Sequence, residues 1–234
     1  MCTIADNVAR IREEMSRAAA QAGRDEKEIA LLAATKMNDA ARVREAIIAG
    51  VDICGENRVQ EFQQKQAENA YAGCPVHFIG HLQKNKAKFL VGQVDLIQSV
   101  DSVPLLETLE RLASGKNLIQ DILLEINVGG EEAKSGVPPE EADEFAARMT
   151  DFPHLRLRGF MTIPPISAEN GGNLRYFAKM YQLYVDIKAK KYDNNSIDCL
   201  SMGMSDDFAD AIKEGTTLIR VGTSIFGSRQ YVKN

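Results

Sequence analysis

Three things are scarce in this chain of 234 residues: long apolar runs, surplus positive charge and closely spaced cysteines. No stretch approaches the roughly 20 apolar residues that span a bilayer as a helix, so a membrane-spanning helix is not expected. Lysine and arginine total 28 against 33 aspartates and glutamates, a net charge of -5. Such a balance argues against a protein that grips nucleic acid by its phosphates, which takes a basic face. Cys2, Cys54, Cys74 and Cys199 include no C-x-x-C pair. Their spacing makes a zinc ribbon or a redox pair improbable and reads as ordinary thiols. His77 lies in the strand-like run "VHFIG" and His81 directly follows it, so they do not share a helix face and no metal site is expected. There is no repeat, low-complexity tract or convincing linker, and one domain over residues 1–234 is the expectation.

What is present is an alternation. Ile4, Val8, Ile11 and Met15 recur at helical spacing up to Gly23, mixed with Asp6, Arg10, Arg12, Glu13 and Glu14. That pattern is an amphipathic helix rather than a signal peptide, and it points to a cytoplasmic protein. Eight apolar runs follow: "ALLAAT" (30–35), "VDICG" (51–55), "VHFIG" (76–80), "LIQSV" (96–100), "DILLEINV" (121–128), "LRLRGFMTI" (155–163), "CLSMG" (199–203) and "TLIRVG" (217–222). Helical patterns lie between them, among them "NDAARVREAIIAG", "DSVPLLETLERLASG" with Pro104 in its first turn, "PPEEADEFAARM", "LRYFAKMYQLYVDIKAKK" and "SDDFADAIKEG". Apolar strands alternating with helices imply parallel pairing with both faces covered. Eight units in this length predict an α/β fold, a (β/α)8 TIM barrel led by one extra helix, in preference to an open doubly wound sheet.

Barrels of this kind place their sites where the strands end. The residues there are Lys36; Glu56 and Asn57; His81; Ser99 and Asp101; Asn127; Met161 and Thr162; Ser201; and Arg220 with Gly222 and Thr223. A lysine at the rim of an apolar barrel is partly desolvated, which favours the neutral amine that condenses with a carbonyl to a Schiff base. Equally, Lys36 could reach solvent by its long stem, and position alone does not separate the two. The last unit, "LIRVGTSIFGSR", ends a strand in Arg-x-Gly-Thr, where barrels often bind phosphate. Ser201 and Ser205 in "LSMGMSDDF" lie on the same side, although Ser205 also reads as a helix cap. Together these pieces suggest a ligand carrying both an aldehyde and a phosphate.

The blocks "LLAATK", "CGENRVQEF", "HFIGHLQKNK", "IQSVDS", "LEINVGGEEAKSG", "LRGFMTIPP", "LSMGMSDDF" and "IRVGTSIFG" run in order over nearly the whole chain. In this series the sequence resembles the pyridoxal 5'-phosphate homeostasis proteins, a family similar to the N-terminal barrel of alanine racemase (the type III PLP-binding fold). The resemblance implies pyridoxal 5'-phosphate (PLP) held as a Schiff base on Lys36. It implies Ser201, Gly222 and Thr223 at the phosphate, Arg220 facing the pyridine nitrogen, and Asn57 and His81 near the ring. "MND" follows Lys36 where a Thr-Lys-Pro type run is expected, so no second-lysine role passes to Asn38.

In alanine racemase-like enzymes a tyrosine from a further β domain serves the second face of the substrate. This sequence ends about a dozen residues after its eighth run, and Tyr231 in the tail is a poor substitute. The expectation is therefore a monomeric carrier or buffer of PLP with little turnover, and apo-PLP enzymes are the expected recipients. Lys134 in "GGEEAKSG" is a second amine that could accept the aldehyde during release, or simply a solvated loop lysine. A weak PLP-dependent racemase or decarboxylase and a cofactor-free Schiff-base aldolase are the alternatives.

Overall fold

Every apolar run forms a strand in the computed structural model, which describes residues 3–131, 133–165 and 171–227. In chain order the elements are α1 (Ile4–Gln21), β1 (Ala30–Ala34), α2 (Ala40–Ile48), β2 (Ile53–Glu56), α3 (Val59–Ala67), β3 (Val76–Phe78), β4 (Leu96–Val100) and α4 (Val103–Gly115). There follow β5 (Gln120–Glu125), α5 (Ala142–Ala147), β6 (Leu155–Met161), α6 (Leu174–Lys190), β7 (Asn195–Ser201), α7 (Phe208–Lys213), β8 (Leu218–Val221) and the single turn α8 (Thr223–Phe226). The strands pair in parallel, each with the next, and β8 pairs with β1 to close the barrel.

The strand period of two divides the core. Leu32 of β1 meets Ile79 and Leu218 inside the barrel, with Ala30 and Ala34 packed against them. Leu31 and Ala33 face outward and pack with Val8, Ile11 and Met15 of α1. Lys36 therefore follows Ala30, Leu32 and Ala34 on the inward parity. The leading helix is more than an addition. Among the described residues β8 is followed by the four-residue α8, and α1 packs over β1 and β8, against α2, α7 and α8. A capping box starts it: the Thr3 hydroxyl accepts the Asp6 N–H (3.1 Å), and the Asp6 carboxylate accepts the Thr3 N–H (2.9 Å).

Several local expectations need correction. A helix, α3, lies between β2 and β3 where no amphipathic pattern was read, because its buried face carries Lys65 beside Val59 and Phe62. Strand β7 begins at Asn195, four residues before the apolar run, since its first residues alternate toward solvent. The "PPEEADEFAARM" segment divides into a 3-10 turn and the short α5, and a 3-10 helix (Lys84–Phe89) replaces an α-helix between β3 and β4. Gly115 is the last residue of α4 rather than the one after it. The cap ahead of α7 is Asp207, which accepts the Met204 N–H (2.7 Å), and not Ser205. Part of the "PPISAENGGN" loop lies outside the described residues.

Candidate functional site

At the carboxyl ends of the strands a cleft of about 640 Å³ is lined by Lys36, Asn57, Arg220, Gly222 and Thr223, with Ser205 beside them. A larger cleft, about 1020 Å³, opens at the opposite end of the barrel. Three of its carboxylates, Asp52, Asp95 and Asp121, are engaged. Asp52 accepts the Leu31 N–H (2.6 Å), Asp95 accepts the Val76 N–H (2.7 Å), and Asp121 pairs with Arg156 and Arg158. They start strands and close ion pairs, whereas the upper cleft brings an amine, an amide, a guanidinium and hydroxyls together.

Lys36 follows β1 on a backbone that its neighbours grip from both sides. The buried Lys65 ammonium donates to the Thr35 carbonyl (2.7 Å) and to the Glu56 carboxylate (2.6 Å). Glu56, fully buried, also accepts from the Thr35 hydroxyl and from Tyr71 (3.0 Å). Burial, and Glu56 beside it, push the Tyr71 phenol up, which keeps it a donor. On the other side of Lys36, the Glu61 carboxylate accepts the Met37 N–H (2.7 Å). Met37 sits at φ 62°, a left-handed conformation that a side chain adopts at a cost. Residues from β2 and α3 thus fix the backbone on each side of Lys36, and Asn38 donates to the Lys36 carbonyl (3.0 Å).

Arg220 is 4% exposed. One guanidinium nitrogen donates to the Ser201 hydroxyl (2.6 Å) and another to the Thr162 carbonyl (2.8 Å). Burial brings its pKa down to about 10, so it remains charged at neutral pH. Behind it a chain of hydrogen bonds descends through the barrel. Ser201 donates to the Gln98 carbonyl oxygen (2.7 Å), and the Gln98 amide donates to Nδ1 of His77 (2.8 Å). Burial holds His77 down at about 4, so the imidazole is neutral, with Nδ1 the acceptor and the proton on Nε2. Glu125, at the end of β5, faces Arg220 and His81, and burial lifts its carboxyl to about 6.

Of the seven residues expected in the site, Lys36, Asn57, Arg220, Gly222 and Thr223 line the cleft. Ser201 and His81 are not in its lining. Ser201 is fully buried beneath Arg220, whereas His81 is largely exposed, between Asp101 (3.5 Å) and Ser135 (3.3 Å). Asn57 is brought in by a close approach: a Cβ on Gly80 would lie 2.2 Å from the Asn57 carbonyl oxygen, so only glycine fits there. The Asn57 side-chain oxygen is buried with no hydrogen-bond partner. Lys134 pairs with Glu131 and donates to the Pro164 carbonyl (3.2 Å). Tyr231 and Cys2 lie outside the described residues. Lys65, Glu61, Gln98 and Glu125 are not among the residues expected from the sequence. Lys65 had a signal, since the spacing Val59, Phe62, Lys65 puts an ammonium on a buried helix face. Among the described residues no group of three or more His, Cys, Asp or Glu side chains could hold a metal ion, and no helix is long and apolar enough to cross a membrane.

Residues 4–230 match the family described as alanine racemase, N-terminal domain. A pyridoxal phosphate homeostasis protein of Aquifex aeolicus is 41% identical over 227 residues, covering 97% of this chain and 98% of that one. The chain belongs to the pyridoxal phosphate homeostasis protein family. Its barrel superposes on a crystal structure of an unknown protein from Bifidobacterium adolescentis with a TM-score of 0.90 at 37% identity, over 95% of this chain and 94% of that one. PipY of Synechococcus elongatus, solved with PLP bound, gives a TM-score of 0.78 at 32% identity, over 92% and 100% of the two chains. In this member of the pyridoxal phosphate homeostasis family, the five cleft-lining residues come from the ends of β1, β2 and β8.

Proposed function

We propose that this chain binds PLP as a Schiff base on Lys36 and holds it as a cellular reserve that passes to apo-PLP enzymes. The observation that carries the reading is the clamped Lys36 backbone at the inner rim of a cleft that a buried, charged Arg220 also lines. The cleft's volume falls within the roughly 300–1,000 Å³ usual for small-molecule sites. Its polar groups suit the cofactor: a lysine amine for the aldehyde, Asn57 with an unsatisfied buried acceptor oxygen, and the Gly222–Thr223 turn with Ser205 for the phosphate. When bound, the cofactor supplies an aldehyde that amines capture and a ring able to withdraw electrons.

The roles of the residues follow from their donors. A guanidinium offers N–H groups and no acceptor, so Arg220 would leave the ring nitrogen unprotonated and the ring a weak electron sink. Ser201 serves in this reading through Arg220, by fixing it, rather than on the phosphate. Holding and release are thereby favoured over turnover. The test is to mix PLP-loaded protein with an apo-transaminase and, separately, with L-amino acids. Recovery of transaminase activity with no racemised or decarboxylated product beyond the blank is the result expected. Product in excess of the protein present would replace this reading with that of an enzyme.

A further inference from the structure

Cys54 is buried on the outer face of β2, and Cys74 sits half-buried at the end of the turn leading into β3. Twenty positions apart in sequence, their sulfurs are 3.6 Å apart. The strand pairing causes this, contrary to the reading of widely spaced, unrelated thiols. Cys54 lies opposite Val76 in the β2–β3 register and donates its N–H to the Pro75 carbonyl (2.9 Å). A disulfide is about 2.05 Å long, so closure takes about 1.5 Å of sulfur motion, within reach of side-chain rotation.

The two sulfurs differ in kind. The contact with Cys54 lowers the pKa of the Cys74 thiol, with burial and the carboxylates of Asp52 and Asp95 opposing it, and the Cys74 thiol also reaches the Asp52 (3.7 Å) and Pro75 (3.6 Å) carbonyls. The contact between the two sulfurs, reinforced by burial, raises Cys54. The half-buried Cys74 sulfur is the one a small oxidant reaches first, and the buried Cys54 sulfur lies behind it, which is the division of labour between attacking and resolving thiols.

We propose that Cys54 and Cys74 form a peroxide-reactive dithiol, with Cys74 the attacking and Cys54 the resolving thiol. The Cys74 thiolate attacks one peroxide oxygen, the O–O bond breaks, and hydroxide leaves with a sulfenic acid on Cys74. Cys54 gives up its proton and attacks the Cys74 sulfur; the S–O bond breaks, an S–S bond forms and the second oxygen departs as water. Two thiols lose two electrons in all, and hydrogen peroxide becomes two waters.

The full folded chain is treated with equimolar hydrogen peroxide at neutral pH, alkylated and mapped by mass. The expected product is lighter by two hydrogens, with the tryptic peptide 45–58 joined to 66–84 and separable by reductant. Cys54→Ser should leave a sulfenic acid on Cys74 that dimedone traps, and Cys74→Ser should leave Cys54 unoxidised. Cys199, half-buried inside the barrel with its thiol pushed up to about 12 by desolvation, should stay reduced. The proposal fails if both peptides return as alkylated thiols, if Cys74 gains two oxygens without a link, or if the link runs through Cys2 or Cys199. The wild-type map decides even where a serine variant does not fold.

Discussion

Lys36 was legible because an ammonium directly after six uncharged residues is anomalous on its face, and Arg220 because it shares the last strand with a Gly-Thr turn. Glu125 was not, since nothing in "LLEINV" says that a carboxyl at that point turns inward beside Arg220 and His81. Its burial is testable by pH. The folded chain holds the Glu125 proton more tightly than the unfolded chain does, with a pKa of about 6 against an ordinary 4.5. The Glu125 contribution to stability is greatest below about pH 4.5 and falls as pH rises through 6, by about 2 kcal/mol in all. Glu125→Gln should match wild type in urea unfolding near pH 4 and exceed it by about that amount at pH 7. Equal stability at both pH values would show that the carboxyl is not held in its neutral form.

At the scale of elements, the strands were readable because their apolar runs are continuous, and α3 was not because its packing face includes Lys65. That face does the most for the site. Lys65 and Glu56 are a buried ion pair, and removing one partner strands the other charge away from water. Lys65→Met is expected to cost about 3–5 kcal/mol in denaturant unfolding. A second change, Glu56→Gln, should restore part of that loss, because the orphaned charge goes with it. The double variant should still bind PLP more weakly than wild type, since the Thr35 carbonyl beside Lys36 has lost its ammonium. Wild-type affinity in that variant would show that α3 supports the fold without positioning the lysine. Glu61→Ala, which frees the Met37 N–H, should weaken binding at a smaller stability cost of about 1–3 kcal/mol.

Over the whole molecule, a barrel of eight was countable from the sequence, but the closure of its outer ring was not: α1 covers the strands that carry Lys36 and Arg220. Ile11 is fully buried there, and Ile11→Ala should cost about 2–5 kcal/mol. PLP at a hundredfold excess over its dissociation constant should return about 2.7 kcal/mol of that, read as a rise in melting temperature. Lys36→Ala should lose most of the rise while keeping the fold, because its side chain stands at the rim rather than in the core. The central claim is covalent, and it is tested most directly by adding PLP, reducing with borohydride and mapping the modified peptide. The account predicts a visible absorbance band that vanishes on reduction, with the pyridoxyl mass on Lys36. Protein that stays colourless with added PLP, or a label that survives Lys36→Ala undiminished, would contradict it.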